Sequence, residues 1–192
     1  MQVSSLGAIA GIMLAGAIGM WAGQPAPPPD VTVALHCEVL TTPGVVARAK
    51  HMAKEIFDSI GVTLAWRGEM TDLEQGVLIK VDLQPGPAGE STSLGEASPF
   101  AREHAIIINY NAVKRAAGIS RQLEPIILTH VLVHEITHVL QGVNRHAETG
   151  MMKARWTPED YCEMEWKPLE FTQEDVELIR LGLVVLRGQR GR

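Results

Sequence analysis

The chain is poor in aromatic side chains, with three Phe, four Trp and two Tyr in 192 residues. A surface that stacks nucleobases needs several such rings along one face, and this supply does not provide it. Basic residues are few and scattered: 17 Lys and Arg stand against 22 Asp and Glu, and no stretch collects them into a cationic stripe. Nucleic acid is therefore not an expected partner. Only two cysteines occur, Cys37 and Cys162. They are too far apart for a C-x-x-C pair, which excludes a zinc ribbon and a thioredoxin-type redox motif. In an exported protein the two could close one long-range disulfide; the alternative is a pair of buried free thiols.

No Lys or Arg precedes Arg48. That absence bears on the N-terminus, where Leu6 to Ala22 is an unbroken run of apolar residues and glycine, followed by the polar, Pro-rich stretch from Gly23 to Asp30. The run is short and Gly-rich for a membrane span. Nothing in it alternates with polar residues as a helix packed on one face would. It suits the apolar core of a secretory signal, although only the α-amino group supplies positive charge ahead of it. The expectation is an exported chain, secreted or periplasmic. Residues 1–30 form a signal peptide or N-terminal anchor plus a Pro-rich linker, and any membrane contact runs through that segment. Residues 31–192 have the length and apolar content of one globular domain.

Within that domain Val31 to Leu40 is apolar and β-branched enough for a strand. Val46, Ala49, Met52, Ala53, Ile56, Phe57 and Ile60 recur at helical spacing over Val45 to Ile60, and Gly61 ends that helix. Val62 to Trp66 and Gly76 to Leu83 read as two further strands. Gln84 to Pro99 is rich in Pro, Gly and Ser and reads as a long loop, with Ser93 to Ala97 as a short edge strand inside it. His104 to Tyr110 suits a central, buried strand, and Asn111 to Ala117 a helical turn. From Gln122 to Leu140 the pattern is strongly helical, with a broad apolar stripe, Pro125 in the first turn and Gly142 as the stop. Asn144 to Lys167 has no clear period. Phe171 to Arg187 closes the chain as a helix with Thr172 as its N-cap and Glu174 and Asp175 in its first turn. This order predicts an α+β domain with one mixed, twisted sheet, a long helix carrying the motif described next, and a C-terminal helix.

That helix carries His134-Glu135-Ile136-Thr137-His138. Residues i and i+4 stand one turn apart on one helical face, so His134 and His138 can offer two imidazole nitrogens to one metal at about 2.0–2.1 Å. Glu135 projects beside the metal rather than onto it, where it can act as a general base toward water. A chance H-E-x-x-H in a chain of this composition has a likelihood of roughly two per cent. Two imidazoles and a carboxylate among Val131, Val133 and Ile136 would cost several kcal/mol to bury without partners, a cost that a metal ion would offset. The expected ion is Zn2+, and a catalytic zinc takes a third protein ligand and keeps one open position. His146, eight residues past His138 and beyond Gly142, is the leading candidate; Glu148, Glu159, Glu163 and Glu165 are rivals. His130, one turn before His134, reads as a satisfied helix histidine. His36, His51 and His104 stand alone.

The stretch from His134 to Met152 resembles the metzincins, zinc peptidases with H-E-x-x-H-x-x-G-x-x-H followed by a Met-containing turn. Within that group it is similar to small exported bacterial proteins whose motif ends in His, a short loop, Gly, an apolar residue and Met. Gly150-Met151-Met152 and then Ala154-Arg155-Trp156 carry that ending, with Met152 as the Met-turn residue. The spacing here is H-E-x-x-H-x-x-x-G-x-x-x-H, one residue longer on each side of the glycine, and Tyr161 is the only nearby phenol. The resemblance implies a metzincin-like (zincin) catalytic domain over residues 31–192, with His134, His138 and His146 on zinc and Glu135 as base. It also implies a peptide or protein substrate, held as an added strand along Ser93 to Ala97. The expected function is a zinc-dependent peptidase that hydrolyses peptide bonds with metal-activated water. Two alternatives stand beside it: a non-catalytic zinc-binding pseudo-peptidase, for which Glu135 would be superfluous, and a zinc amidohydrolase acting on a non-peptide amide.

Overall fold

The computed structural model describes residues 28–67, 76–86, 93–101, 103–118 and 120–190. The segment expected to be a signal or anchor lies almost wholly outside them. The described residues form five strands and five helices in an α+β arrangement. In chain order these are β1 (Val31–Cys37), α1 (Val45–Ser59), β2 (Leu64–Arg67), β3 (Val77–Gln84), β4 (Gly95–Ala97), β5 (Ala105–Asn109), α2 (Tyr110–Ala117), α3 (Leu123–Gln141), α4 (Pro158–Trp166) and α5 (Gln173–Arg190).

The sheet order is β2-β1-β3-β5-β4. The first four strands are mutually parallel, and β4 runs antiparallel to β5 along the sheet edge. β3 alternates buried and half-buried residues, with Val77, Ile79, Val81 and Leu83 turned into the core. β5 departs from the expectation of a central, fully buried strand: it lies one place in from the edge, and Ile107 is 47% exposed. β1 stops at Cys37, three residues short of the run that reads as strand, because its register with β3 ends at Cys37 opposite Leu83.

α3 is the element around which the rest is packed. It touches α1, α2, α4, α5, β4 and β5, and every residue from Glu124 to Gln141 is buried. The apolar stripe expected from the sequence is thus a helix enclosed on all sides. Such a helix needs side chains that are apolar or internally satisfied around its whole circumference. It is long and apolar enough to cross a bilayer, but 94% of it is buried inside the protein, which makes it a core helix. Ile127, Leu128, Leu132, Ile136 and Leu140 have no solvent exposure, and each such side chain contributes roughly 1.5–3 kcal/mol through burial. α5 lies so close to the end of α3 that a Cβ at Gly182 would strike the Leu140 carbonyl. Glycine is what permits that approach.

The stretch from Asn144 to Lys167, which shows no periodicity, contains α4. Its start is a capping box: the Thr157 backbone N–H donates to Asp160 Oδ2 at 2.6 Å, and Thr157 Oγ1 accepts from the Asp160 N–H, with Pro158 in the first turn. The helix is only nine residues long and buries Met164 alone, too little for an apolar period to stand out. Neither expectation for the cysteines holds. Cys37 and Cys162 are unpaired and both are exposed, one where β1 leaves the sheet and the other on the outer side of α4.

Candidate metal centre

The i and i+4 spacing on α3 brings His134 Nε2 and His138 Nε2 to 3.1 Å from each other. Each ring is fixed by its other nitrogen. His134 Nδ1–H donates to the Met151 carbonyl at 2.9 Å, and His138 Nδ1–H donates to the Val143 carbonyl at 3.3 Å. A carbonyl oxygen can only accept, so both protons sit on Nδ1 and both Nε2 atoms present lone pairs. Two lone pairs 3.1 Å apart repel unless a proton or a cation lies between them. Burial disfavours the proton, pushing His134 down to about 4 and His138 below the usual imidazole range. A tetrahedral ion bound at about 2.05 Å would set the two nitrogens about 3.3 Å apart, close to the spacing seen.

His146 completes the cluster. Its ring stacks on His134 at 5.3 Å and meets His138 edge-on at 4.9 Å. One ring nitrogen from each histidine lies within 4.8 Å of the others. These three histidines could hold a metal ion, and among the described residues no carboxylate joins them. His134 and His138 are buried and His146 is exposed, so the cluster faces solvent on one side. The rival carboxylates are elsewhere: Glu163 pairs with Lys167 at 3.2 Å, Glu159 is engaged at the start of α4, and Glu148 and Glu165 are exposed.

Gly142, at φ 64°, ends α3 and turns the chain back toward the two ring nitrogens. The return is tethered at Arg145, which donates to the buried Asp175 at 2.8 Å and pairs with Glu174. Beyond His146, Ala147 N–H donates to the Met152 carbonyl at 2.7 Å and Met151 N–H to the Glu170 carbonyl at 2.9 Å. Those bonds place the Met151 carbonyl where His134 uses it. Gly150, at φ 75°, lies against the Glu170 carbonyl at a spot where any Cβ would collide. Met151 and Met152 are fully buried.

Glu135 is buried against the edge strand rather than among the histidines. A Cβ on Gly95 would lie 2.9 Å from its Cγ and Oε1, so glycine at that position makes room for the carboxyl. Burial, with the nearby Glu96 carboxylate, pushes Glu135 up to about 7, while a backbone hydrogen bond from Ala97 pulls the other way.

His130 is satisfied without a metal, as its position one turn earlier suggests. Its Nδ1–H donates to the Ile126 carbonyl at 2.8 Å and its Nε2 accepts from Leu169 N–H at 3.1 Å. Trp156 stands edge-on to both His134, at 5.6 Å, and His130, at 6.0 Å. Tyr161 packs on Trp156 at 6.5 Å, one ring removed from the histidines. Sequence reasoning did not find the roles of Gly95, Arg145 and Asp175. The capping pattern Thr172-x-x-Asp175 was the one local signal, and it points to a helix start rather than to a tether. Comparison with protein-family models, with curated proteins and with solved structures gave no match.

Proposed function

We propose that the protein is a metzincin-like, zinc-dependent peptidase. The observation that carries this reading is the pair of Nε2 lone pairs held 3.1 Å apart on α3, with His146 folded over them. His134, His138 and His146 would hold the ion. Three imidazoles with one face open form a donor set suited to zinc in a catalytic rather than a structural site. When bound, the ion supplies a Lewis acid that brings the pKa of water to about 7 and polarises a carbonyl.

The remaining chemistry belongs to the chain. Glu135 takes a proton from the attacking water at its carboxylate and returns it to the leaving amine. Its burial between α3 and β4 holds it in one place and keeps bulk water from competing for that proton. Among the described residues β4 is paired on one side only, so its outer edge can take an extended peptide as an added strand. A peptide laid there runs past Glu135, because Gly95 and Ala97 both touch that residue. Export of the chain belongs to the same proposal and rests on the apolar run from Leu6 to Ala22.

The test is metal analysis together with Glu135→Ala. The purified chain should carry about one zinc, and Glu135→Ala should keep the zinc while losing at least roughly a hundredfold in peptide hydrolysis. A folded chain with no affinity for zinc would end the reading. Hydrolysis unaffected by Glu135→Ala would remove Glu135 as the base.

A further inference from the structure

We propose that His130 is a positioning residue for the metal centre, fixing the ring of His134 through Leu169, Glu170 and Met151. Three hydrogen bonds run in series between the two histidines. Leu169 N–H donates to His130 Nε2 at 3.1 Å. Met151 N–H donates to the Glu170 carbonyl at 2.9 Å, and His134 Nδ1–H donates to the Met151 carbonyl at 2.9 Å. Only short covalent stretches separate them, because Leu169 and Glu170 are neighbours and Met151 supplies both its N–H and its carbonyl. His130 and Met151 have no solvent exposure, and Leu169 and His134 are buried. Water therefore does not replace a lost partner at these steps, and each bond constrains the next.

The chemistry of His130 suits this place. Its Nδ1–H is taken up by the Ile126 carbonyl at 2.8 Å, which leaves Nε2 as an acceptor on the far side of the ring. α3 can thus hold a main-chain N–H of the irregular stretch between α4 and α5. An apolar side chain at 130 would fill the space but leave the Leu169 N–H buried and unpaired. That stretch would then shift to find a partner, carrying the Glu170 carbonyl with it. Gly150 seats directly against the same carbonyl, so the turn that bears Met151 would move as well.

Histidines thus recur on α3 at positions 130, 134 and 138, one turn apart on one face. The last two point their Nε2 atoms at each other; the first holds the frame against which His134 is set. Partners that orient a metal-bound imidazole typically change metal affinity by about 10–100-fold. His130 acts one segment further out, which puts its effect at the lower end of that range. The inference deepens the zinc-peptidase reading and rests on it.

The experiment measures zinc affinity of the full chain by competition with a chromophoric chelator, and the visible absorption of the cobalt(II)-loaded chain. His130→Leu, which removes the acceptor, should lower zinc affinity roughly tenfold and alter the cobalt spectrum. His130→Gln, whose Oε1 can accept from the Leu169 N–H, should restore both. Ile79→Val loosens the core on β3, away from this path, and should leave affinity and spectrum as in the parent. A folded His130→Leu chain with the parent's affinity overturns the positioning role. So does an equal loss in Ile79→Val, which would make the effect one of stability alone, and so does a failure of His130→Gln to restore affinity. Should His130→Leu not fold, the Leu169 N–H is removed instead. Ligation at Cys162 of a synthetic segment 162–192 replaces the amide before Leu169 by an ester. The same tenfold loss is expected there, and full affinity overturns the role. A parent chain that binds no zinc ends the peptidase reading and this inference together, whereas a zinc-binding parent with unaffected variants ends this inference alone.

Discussion

Arg145 donates from Nη1 to Oδ1 of Asp175 at 2.8 Å, and Asp175 has no solvent exposure. The same carboxylate caps α5, accepting from the Thr172 N–H at 3.0 Å and the Thr172 hydroxyl at 2.7 Å. A side chain next to His146 is thereby tied to the first turn of a helix packed on the far end of α3. In the metal-site reading, the third ligand owes its place to a contact made 29 residues further along the chain. Arg145→Gln should therefore lower zinc affinity by roughly tenfold, the lower end of what supporting groups around metal ligands contribute, with partial recovery in Arg145→Lys. Competition with a chelator measures this, and unchanged affinity in Arg145→Gln would show that His146 is positioned without the tether.

Replacing His146 itself should cost more than the roughly 10–100-fold typical of a lost supporting group, whereas Glu163→Ala should leave zinc affinity unchanged. Glu163 faces Lys167 on α4 and has no place in the histidine cluster. The reverse ranking in a zinc titration would move the site to a His-His-Glu type.

Gly95 offers a substitution that strains the site without straining the strand. Its backbone is not in the left-handed region, so alanine suits β4, yet the new methyl would press on Glu135 Cγ and Oε1 from 2.9 Å. Displacing a base by a fraction of an ångström to an ångström lowers kcat by roughly ten- to a hundredfold. Gly95→Ala should do so with little change in melting temperature or zinc content. Full activity in Gly95→Ala would mean that the carboxyl moves freely and that its present position is not the working one.

His130 makes the fold sensitive to acid. Burial holds its pKa down at about 4, against 6.5 for the free side chain. Protonation at Nε2 would also set a new N–H against the Leu169 N–H that it now accepts from. The unfolded chain takes up this proton near 6.5 and the folded chain only near 4. The ring's contribution is therefore whole above about 6.5 and is lost as pH falls from there toward 4, a difference of up to about 3 kcal/mol. Denaturant unfolding at about pH 7 and about pH 4.5 should show a smaller loss of stability in His130→Gln than in the parent, by about 2–3 kcal/mol. Equal losses would place the acid sensitivity elsewhere.

Much of this molecule could be read from its residues alone, because the relevant rules are local. Helical spacing locates α1, α3 and α5 to within a few residues. β-branched runs locate β1, β2, β3 and β5, and Thr172 caps α5 through an interaction only three residues long. His134 and His138 converge because any α-helix brings i and i+4 together. Three-dimensional packing decided the rest. That β5 lies beside the edge, that α3 is enclosed rather than one-sided, and that the two cysteines face solvent all follow from strand order and helix placement, which no short window encodes. His146 could be named from its residue type and the glycine before it. Its distance from the other two histidines depends on Gly142, on Arg145 reaching Asp175, and on Gly150 fitting under the Glu170 carbonyl. Those contacts join residues 20 to 30 positions apart, and they form only when α3, α5 and the segment between them pack as one body.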